Sequence, residues 1–193
     1  MKISPKFVLK VAGTLTVISL ITAALLGLVD GVTRDKIAEI EAEKTRIAMS
    51  AVAPAGSEFT DKQEISAEVA AAAAAQGGKV LELYGVKAGG CVMKISASGS
   101  QGSIVMMVGV DANKAITGIS VVSHSETSGI GTKVVGNELN DAGVGVLDQF
   151  IGLSGSGSLV VKKNITPITT ATVSTKGITM GANAALAAAE ALG

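Results

Sequence analysis

The chain is poor in the residues that usually announce a chemistry. It has no tryptophan, one tyrosine and three phenylalanines (Phe7, Phe59, Tyr84, Phe150), so its core must be built from Val, Ile, Leu, Met and Ala. A planar ligand would find few rings to stack on and would rest on aliphatic side chains. The single cysteine, Cys91, excludes an intrachain disulfide, a Cys-rich zinc site and a four-cysteine iron–sulfur cluster of the chain's own. It reads as a buried strand residue. One histidine, His124, has no second histidine or cysteine pair to make a metal site, and one imidazole beside one carboxylate makes no recognisable hydrolytic triad. His124 is therefore taken as structural. Sixteen basic residues balance sixteen acidic ones, and no Lys/Arg run is interleaved with aromatics, so no nucleic-acid partner is expected.

At 193 residues the chain has room for one domain and an appendage. Residues 1–10 are short and basic, carrying Lys2, Lys6 and Lys10 without an acidic residue. Residues 11–29 then run without a charge. About 20 apolar residues cross the ~30 Å hydrocarbon core, whereas the apolar part of a cleaved signal is about 7–15 residues long and ends at a small-residue cleavage site. The run is longer than that and no such site precedes Asp30, so it reads as a retained membrane anchor. The lysines on one flank, against the mixed charges Asp30, Arg34, Asp35 and Lys36 on the other, put the N-terminus in the cytoplasm and the remainder outside. Within residues 30–56, Ile37, Ile40, Ile47 and Met49 alternate with Glu39, Glu41, Glu43, Lys44 and Arg46 as in an amphipathic helical stalk, which Pro54 and Gly56 end.

Residues 57–193 form the candidate domain. Ser66 to Gln76 is an alanine-rich helix stopped by Gly77-Gly78. β-branched runs follow at Val80–Val86, Cys91–Ala97, Ser103–Val110 and Ile116–Ser123, separated by Gly, Ser, Asp and Asn turns. A short helix is expected over Leu147–Gly152 and a further strand over Ser158–Lys163. This order predicts an α+β fold, an antiparallel meander flanked by helices.

Two stretches stand out chemically. His124-Ser-Glu-Thr-Ser-Gly-Ile-Gly131 follows the fourth strand, and its glycines Gly129 and Gly131 let backbone approach a ligand closely. Thr166, Thr169, Thr170, Thr172, Ser174, Thr175 and Thr179 crowd the start of an alanine-rich helix. Hydroxyls there cap orphan N–H groups, and the positive end of the helix dipole suits a phosphate.

Together these stretches resemble the FMN-binding domain shared by the G subunit of the Rnf ferredoxin:NAD oxidoreductase complex and the C subunit of the sodium-translocating NADH:quinone reductase. That family carries a His-x-Glu-Thr-x-Gly-x-Gly segment and, before its last helix, an Asp-x-x-Ser/Thr-Gly-Ala-Thr motif whose final threonine is esterified to FMN. Here Thr169, Thr170 and Ala171 fall on the Ser/Thr-Gly-Ala positions and Thr172 on the acceptor. Thr166 stands where the family has Asp and Thr170 where it has Gly, while Ser128 replaces a frequent Pro. The Asp148-Gln149-Phe150 segment matches as well, and a register shifted to Lys176-Gly-Ile-Thr179 fits less closely. The resemblance implies covalent FMN on Thr172, with Glu126, Thr127, Gly129 and Gly131 near the flavin. It implies a membrane-bound subunit of an ion-translocating ferredoxin:NAD⁺ oxidoreductase, with lipid, the other flavin and iron–sulfur subunits of the complex and a flavin transferase as partners. A cofactor-free, pilin-like surface protein with an apolar N-terminal helix is the alternative from a different class.

Overall fold

The computed structural model describes residues 5–54 and 56–193; Lys2, one of the three lysines of the basic N-terminus, lies outside the described residues. The chain divides into two compact units, residues 1–43 and 44–193. The first is helical, the opening part of α1 (Pro5–Val52). Its most apolar 18-residue stretch has a mean hydropathy of 2.1, long and apolar enough to cross a membrane, and every side chain in that stretch is exposed. Two of the four hydroxyls inside the apolar run make no demand on solvent. Thr14 Oγ1 donates to the Lys10 carbonyl and Thr22 Oγ1 to the Ile18 carbonyl, each at 2.9 Å, so both are satisfied within the helix. Beyond the apolar run, Asp30–Arg34 and Lys36–Glu39 are ion pairs at 2.7 Å on the helix surface.

The second unit is a five-stranded antiparallel sheet in strand order β1-β2-β3-β4-β5, each strand paired with its chain neighbour. The strands are β1 (Phe59–Lys62), β2 (Gly78–Val86), β3 (Cys91–Ser98), β4 (Ser103–Val110) and β5 (Ile116–His124). α2 (Ala67–Ala75) sits between β1 and β2 in sequence, with Ser66 as its cap: the Ser66 side chain accepts from the Val69 N–H. After β5 come a short α3 (Gly131–Val135), 3-10 turns at Asp148–Phe150 and Thr169–Ala171, and the long α4 (Thr172–Ala191).

Strand alternation assigns the two faces. Cys91, Met93, Ile95 and Ala97 of β3, with Ile104, Met106, Val108 and Val110 of β4, point toward α2 and α4 and join Ile178, Ala182, Ala185, Leu186 and Ala189 in the main core. Burial pushes the Cys91 thiol up to about 11, so it is an inert packing residue at neutral pH. On the opposite face, Val92 and Met107 meet Ala48, Met49 and Val52 from the last turns of α1. Lys94 sits on that face with Nζ 3.3 Å from Thr45 Oγ1 and 3.5 Å from Glu82 Oε1, while Tyr84 Oη donates to Glu82 at 2.9 Å. Burial and the Glu82 carboxylate together push the Tyr84 hydroxyl up to about 12, so it stays a donor.

The α+β class and four of the five predicted strands, those between residues 80 and 123, are present. β1 and α3 are additions, and the expected helix at Leu147–Gly152 is reduced to the 3-10 turn Asp148–Phe150. The strand expected at Ser158–Lys163 does not form. Lys162 has φ 69°, and the Asn164 side chain takes the Val160 N–H at 2.7 Å, so the backbone donor a ladder needs is spent locally. Only an isolated bridge, Val161 to Ile165, remains.

Candidate functional site

The β3–β4 hairpin tip, the end of β5, α3 and the start of α4 meet at one end of the sheet. They line a cleft of about 150 Å³ formed by Ser100, Glu126, Thr127, Ile130, Gly131 and the run Thr169–Ser174. What distinguishes it is the start of α4. The residue before the helix, Ala171, has no side chain able to cap, and no side-chain hydrogen bond caps the first turn. The orphan N–H groups of a 20-residue helix therefore open where the hydroxyls gather.

Thr172, the first residue of α4, is half-buried, and its hydroxyl makes one long contact, 3.5 Å to the Thr169 carbonyl. The hydroxyls further along the helix are committed. Thr175 Oγ1 donates to the Ala171 carbonyl at 3.1 Å and Thr179 Oγ1 to the Thr175 carbonyl at 2.8 Å, and both side chains are buried. Thr179, the acceptor of the shifted register, does not line the cleft.

Glu126 is buried, and its carboxylate ties three elements together. Oε1 accepts from the Ser100 N–H at 2.7 Å and from the Gln101 N–H at 3.4 Å, and Oε2 accepts from the Ser174 hydroxyl. The Glu126 N–H donates to His124 Nδ1 at 3.2 Å, which gives the histidine a local structural role. Glu126 thus braces the hairpin tip against α4 while forming one wall of the cleft. Gly131 is there for closeness, since a Cβ at that position would collide with the Glu126 side chain and lie 2.9 Å from Ser174 Oγ. Gly129 is not on the cleft lining; its φ of 74° is the turn into α3, with open space around it.

The structure therefore brings Thr169, Thr170, Ala171, Thr172, Glu126, Thr127 and Gly131 to one cleft, and leaves Gly129 beside it. Ser100 joins from the hairpin tip, and Gln149 clamps the approach to α4. Gln149 Oε1 accepts from the Thr166 N–H at 2.8 Å, and its Nε2 donates to the Thr166 carbonyl at 3.0 Å. No local pattern identifies Ser100, and although Gln149 lies in the Asp148–Phe150 segment that resembles the family, its hold on Thr166 is a long-range contact that the sequence does not show.

A second groove of about 370 Å³ adjoins the first and shares Thr172 with it. It is mostly apolar, lined by Leu159, Val160, Val161 and Met180 with Lys162, Lys176, Thr179 and Asn183. Asn183 holds the far wall in place, donating to the Leu159 carbonyl at 2.9 Å and accepting from the Leu159 N–H at 3.3 Å.

Comparison with known proteins bears on this geometry. Residues 99–187, which contain every residue of the cleft, match the FMN-binding domain family. The G subunit of the Na(+)-translocating ferredoxin:NAD(+) oxidoreductase complex of Acetobacterium woodii is 31% identical over 92% of this chain and 89% of its own length. The G subunits of the ion-translocating oxidoreductase complexes of Methanosarcina acetivorans (28% identical; 90% of this chain, 89% of the relative) and Cereibacter sphaeroides (31%; 69% and 70%) are also similar. With the likeness sustained along nearly the whole of both chains, this protein belongs to the family of G subunits of ion-translocating ferredoxin:NAD⁺ oxidoreductase complexes, and residues 99–187 are its FMN-binding domain.

Proposed function

We propose that the chain is a membrane-anchored electron-transfer subunit that carries FMN as a phosphoester on Thr172. The observation that supports this most directly is the position of Thr172, at the uncapped start of α4 and on the border of two cavities of different chemistry. The cleft offers the monoanionic phosphodiester the first N–H groups of α4 with the hydroxyls of Thr170, Thr127 and Ser100 nearby. The groove beyond offers a flat apolar ring the aliphatic walls that a chain poor in aromatics can provide, with Lys162 and Lys176 at hand. At about 150 Å³ the cleft is smaller than the ~300–1,000 Å³ of a pocket that encloses a whole small molecule, which suits a phosphate end held apart from its ring.

When bound, FMN supplies the redox chemistry, taking electrons from one partner and giving them to another. The protein's share is to hold it. Thr172 provides the attachment oxygen, Thr169–Ala171 set the turn that presents it, and Glu126 with Gly131 keeps the hairpin tip and α4 at a fixed separation. Residues 11–29 span the bilayer and residues 1–10 lie in the cytoplasm; the stalk expected over residues 30–56 is cut back to 30–43, because Ala48, Met49 and Val52 pack on the sheet within the compact unit 44–193, and that unit is the extracytoplasmic domain. Attachment has a plain rationale outside the cytoplasm, where little free FMN is available to refill a leaky site. Partners are the lipid bilayer, the other subunits of the complex and a flavin transferase.

The test is the mass of the intact chain. Protein made with its flavin transferase is expected to be heavier by one FMN less water and to fluoresce in a denaturing gel; Thr172→Ala should do neither. Thr179→Ala, as the control for the shifted register, should retain both signals. A native chain that stays flavin-free beside an active transferase would remove the covalent reading and favour the cofactor-free alternative. For the topology, protease added to intact cells should cleave after Gly31, and protection there would reverse it.

A further inference from the structure

Resting on that reading of Thr172, we propose that Asp141 is the positioning residue for attachment of the FMN phosphate. The loop that carries it is firmly built. Asn140 Oδ1 accepts from the Ala142 N–H at 2.9 Å and the Val144 N–H at 3.1 Å, and Asn137 takes the Leu147 N–H at 2.7 Å and donates to Asp148 at 2.9 Å. This fixes the Asp141 carboxylate on the segment that leads into α4. Oδ1 accepts from the Thr169 N–H at 3.3 Å, Oδ2 accepts from the Thr169 hydroxyl, and the Asp141 N–H reaches the Pro167 carbonyl at 3.5 Å.

Both polar groups of Thr169 other than its carbonyl are thereby held by one side chain, and that carbonyl is the one the Thr172 hydroxyl faces. Gln149 secures Thr166 on the upstream side, so Asp141 completes a two-point clamp on Thr166–Thr169. The clamp fixes the carbonyl that lies 3.5 Å from the Thr172 hydroxyl, and with it the turn that presents Oγ1 to the cleft. Attachment requires Oγ1 to attack the flavin-side phosphorus of a flavin dinucleotide. The P–O bond of the anhydride breaks, a nucleoside monophosphate leaves, and the hydroxyl proton is released, so the chain gains one FMN less water. Nucleophilic displacement of this kind depends steeply on the direction of attack, and an exposed carboxylate spent entirely on one threonine is suited to setting it. Thr166 stands where the related motif has an acidic residue, and Asp141 brings a carboxylate to the same segment from a distant loop.

The full-length chain, Asp141→Ala, Asp141→Asn and Asp141→Ala/Thr166→Asp are to be produced with the flavin transferase, and the rate of FMN mass gain measured beside the melting temperature of each flavin-free chain. The alanine variant is expected to be modified at least about tenfold more slowly. The asparagine variant should fall between it and the native chain. Thr166→Asp should restore a large part of the rate, and the melting temperatures of all four should stay within a few degrees. A native chain that is never modified counts against the Thr172 reading itself. Native-like modification of Asp141→Ala overturns the role of Asp141 alone, as does a slow variant whose melting temperature falls in step and which Thr166→Asp does not rescue.

Discussion

The two ends of α4 are finished in opposite ways. At the C-terminal end, Lys114 Nζ donates to the Ala189 carbonyl at 2.7 Å, the Leu192 N–H returns to Ala188, and the Glu190 carboxylate takes both the hydroxyl (2.6 Å) and the N–H (2.9 Å) of Ser156. Residues Ala182–Ala189 between them are buried. At the N-terminal end no side chain caps the helix, Val173 is exposed, and Thr172 makes a single weak contact. One end is completed by the protein and the other is left for something else to complete. A helix start that lacks its cap gives up about 0.5–2 kcal/mol, and a bound phosphate that accepts from the same N–H groups offsets part of that.

The contrast can be broken most severely at Gly177. A Cβ there would stand 2.6 Å from the Ser98 carbonyl oxygen and 3.2 Å from the Gly99 Cα, both backbone atoms that cannot swing aside. Gly177→Val is therefore expected to cost about 3 kcal/mol from overpacking, less the few tenths of a kcal/mol that replacing a helical glycine returns. Because the same contact holds the hairpin tip beside the cleft, FMN loading should fall as well. Denaturant unfolding measures the first effect, and native stability in the variant would mean that α4 does not lie this close to the β3–β4 hairpin.

Next in size is Glu126→Ala, which leaves the Ser100 N–H and the Ser174 hydroxyl without their acceptor at a buried position and should cost about 1–3 kcal/mol. The loss should be the same in flavin-free and flavin-loaded protein, because Glu126 joins protein to protein. A melting temperature that drops only in the loaded form would instead make Glu126 a flavin ligand.

Much of this is legible in the chain. Strands β2–β5 declare themselves by alternation and by the glycine turns between them, and α2 by Ser66 before its alanines and Gly77 after them. The hydroxyl run and Glu126 stand out by their pattern and family likeness, and they do share a cleft. Residues 137–165 are not readable in this way, since their form depends on side chains seizing nearby backbone groups, as Asn137, Asn140 and Asn164 do, and not on any hydrophobic period. Asp141 is invisible for a related reason, and the clamping role of Gln149 is hidden although its segment resembles the family: each acts on a segment 17 or more residues away. Gly129 and Gly131 are alike in the sequence, but their surroundings differ: Gly129 has φ 74° in open space, and a Cβ at Gly131 would meet the Glu126 side chain.

The smallest effect belongs to the finished end of the helix. Lys114→Met removes the cation from the Ala189 carbonyl and should lower stability by about 0.3–1 kcal/mol at low ionic strength, the usual worth of a charge at a helix C-terminus. It should leave FMN loading untouched, which is the sharpest contrast with Thr172→Ala at the other end. The neighbouring Glu190 gives this end a pH signature. Hydrogen bonds from the Ser156 hydroxyl and N–H hold the Glu190 carboxyl below its ordinary 4.5, against a small upward push from burial and with a minor contribution from Lys114. A carboxyl lowered in the folded state stabilises the fold above its unfolded value, and the contribution disappears as pH falls from about 4.5 through the lower folded value. Titration followed by NMR should therefore show the Glu190 midpoint rising toward 4.5 in Ser156→Ala and moving only slightly in Lys114→Met. If Lys114→Met moved it as far as Ser156→Ala does, the end of α4 would be held by charge and not by the hydrogen bonds that close it.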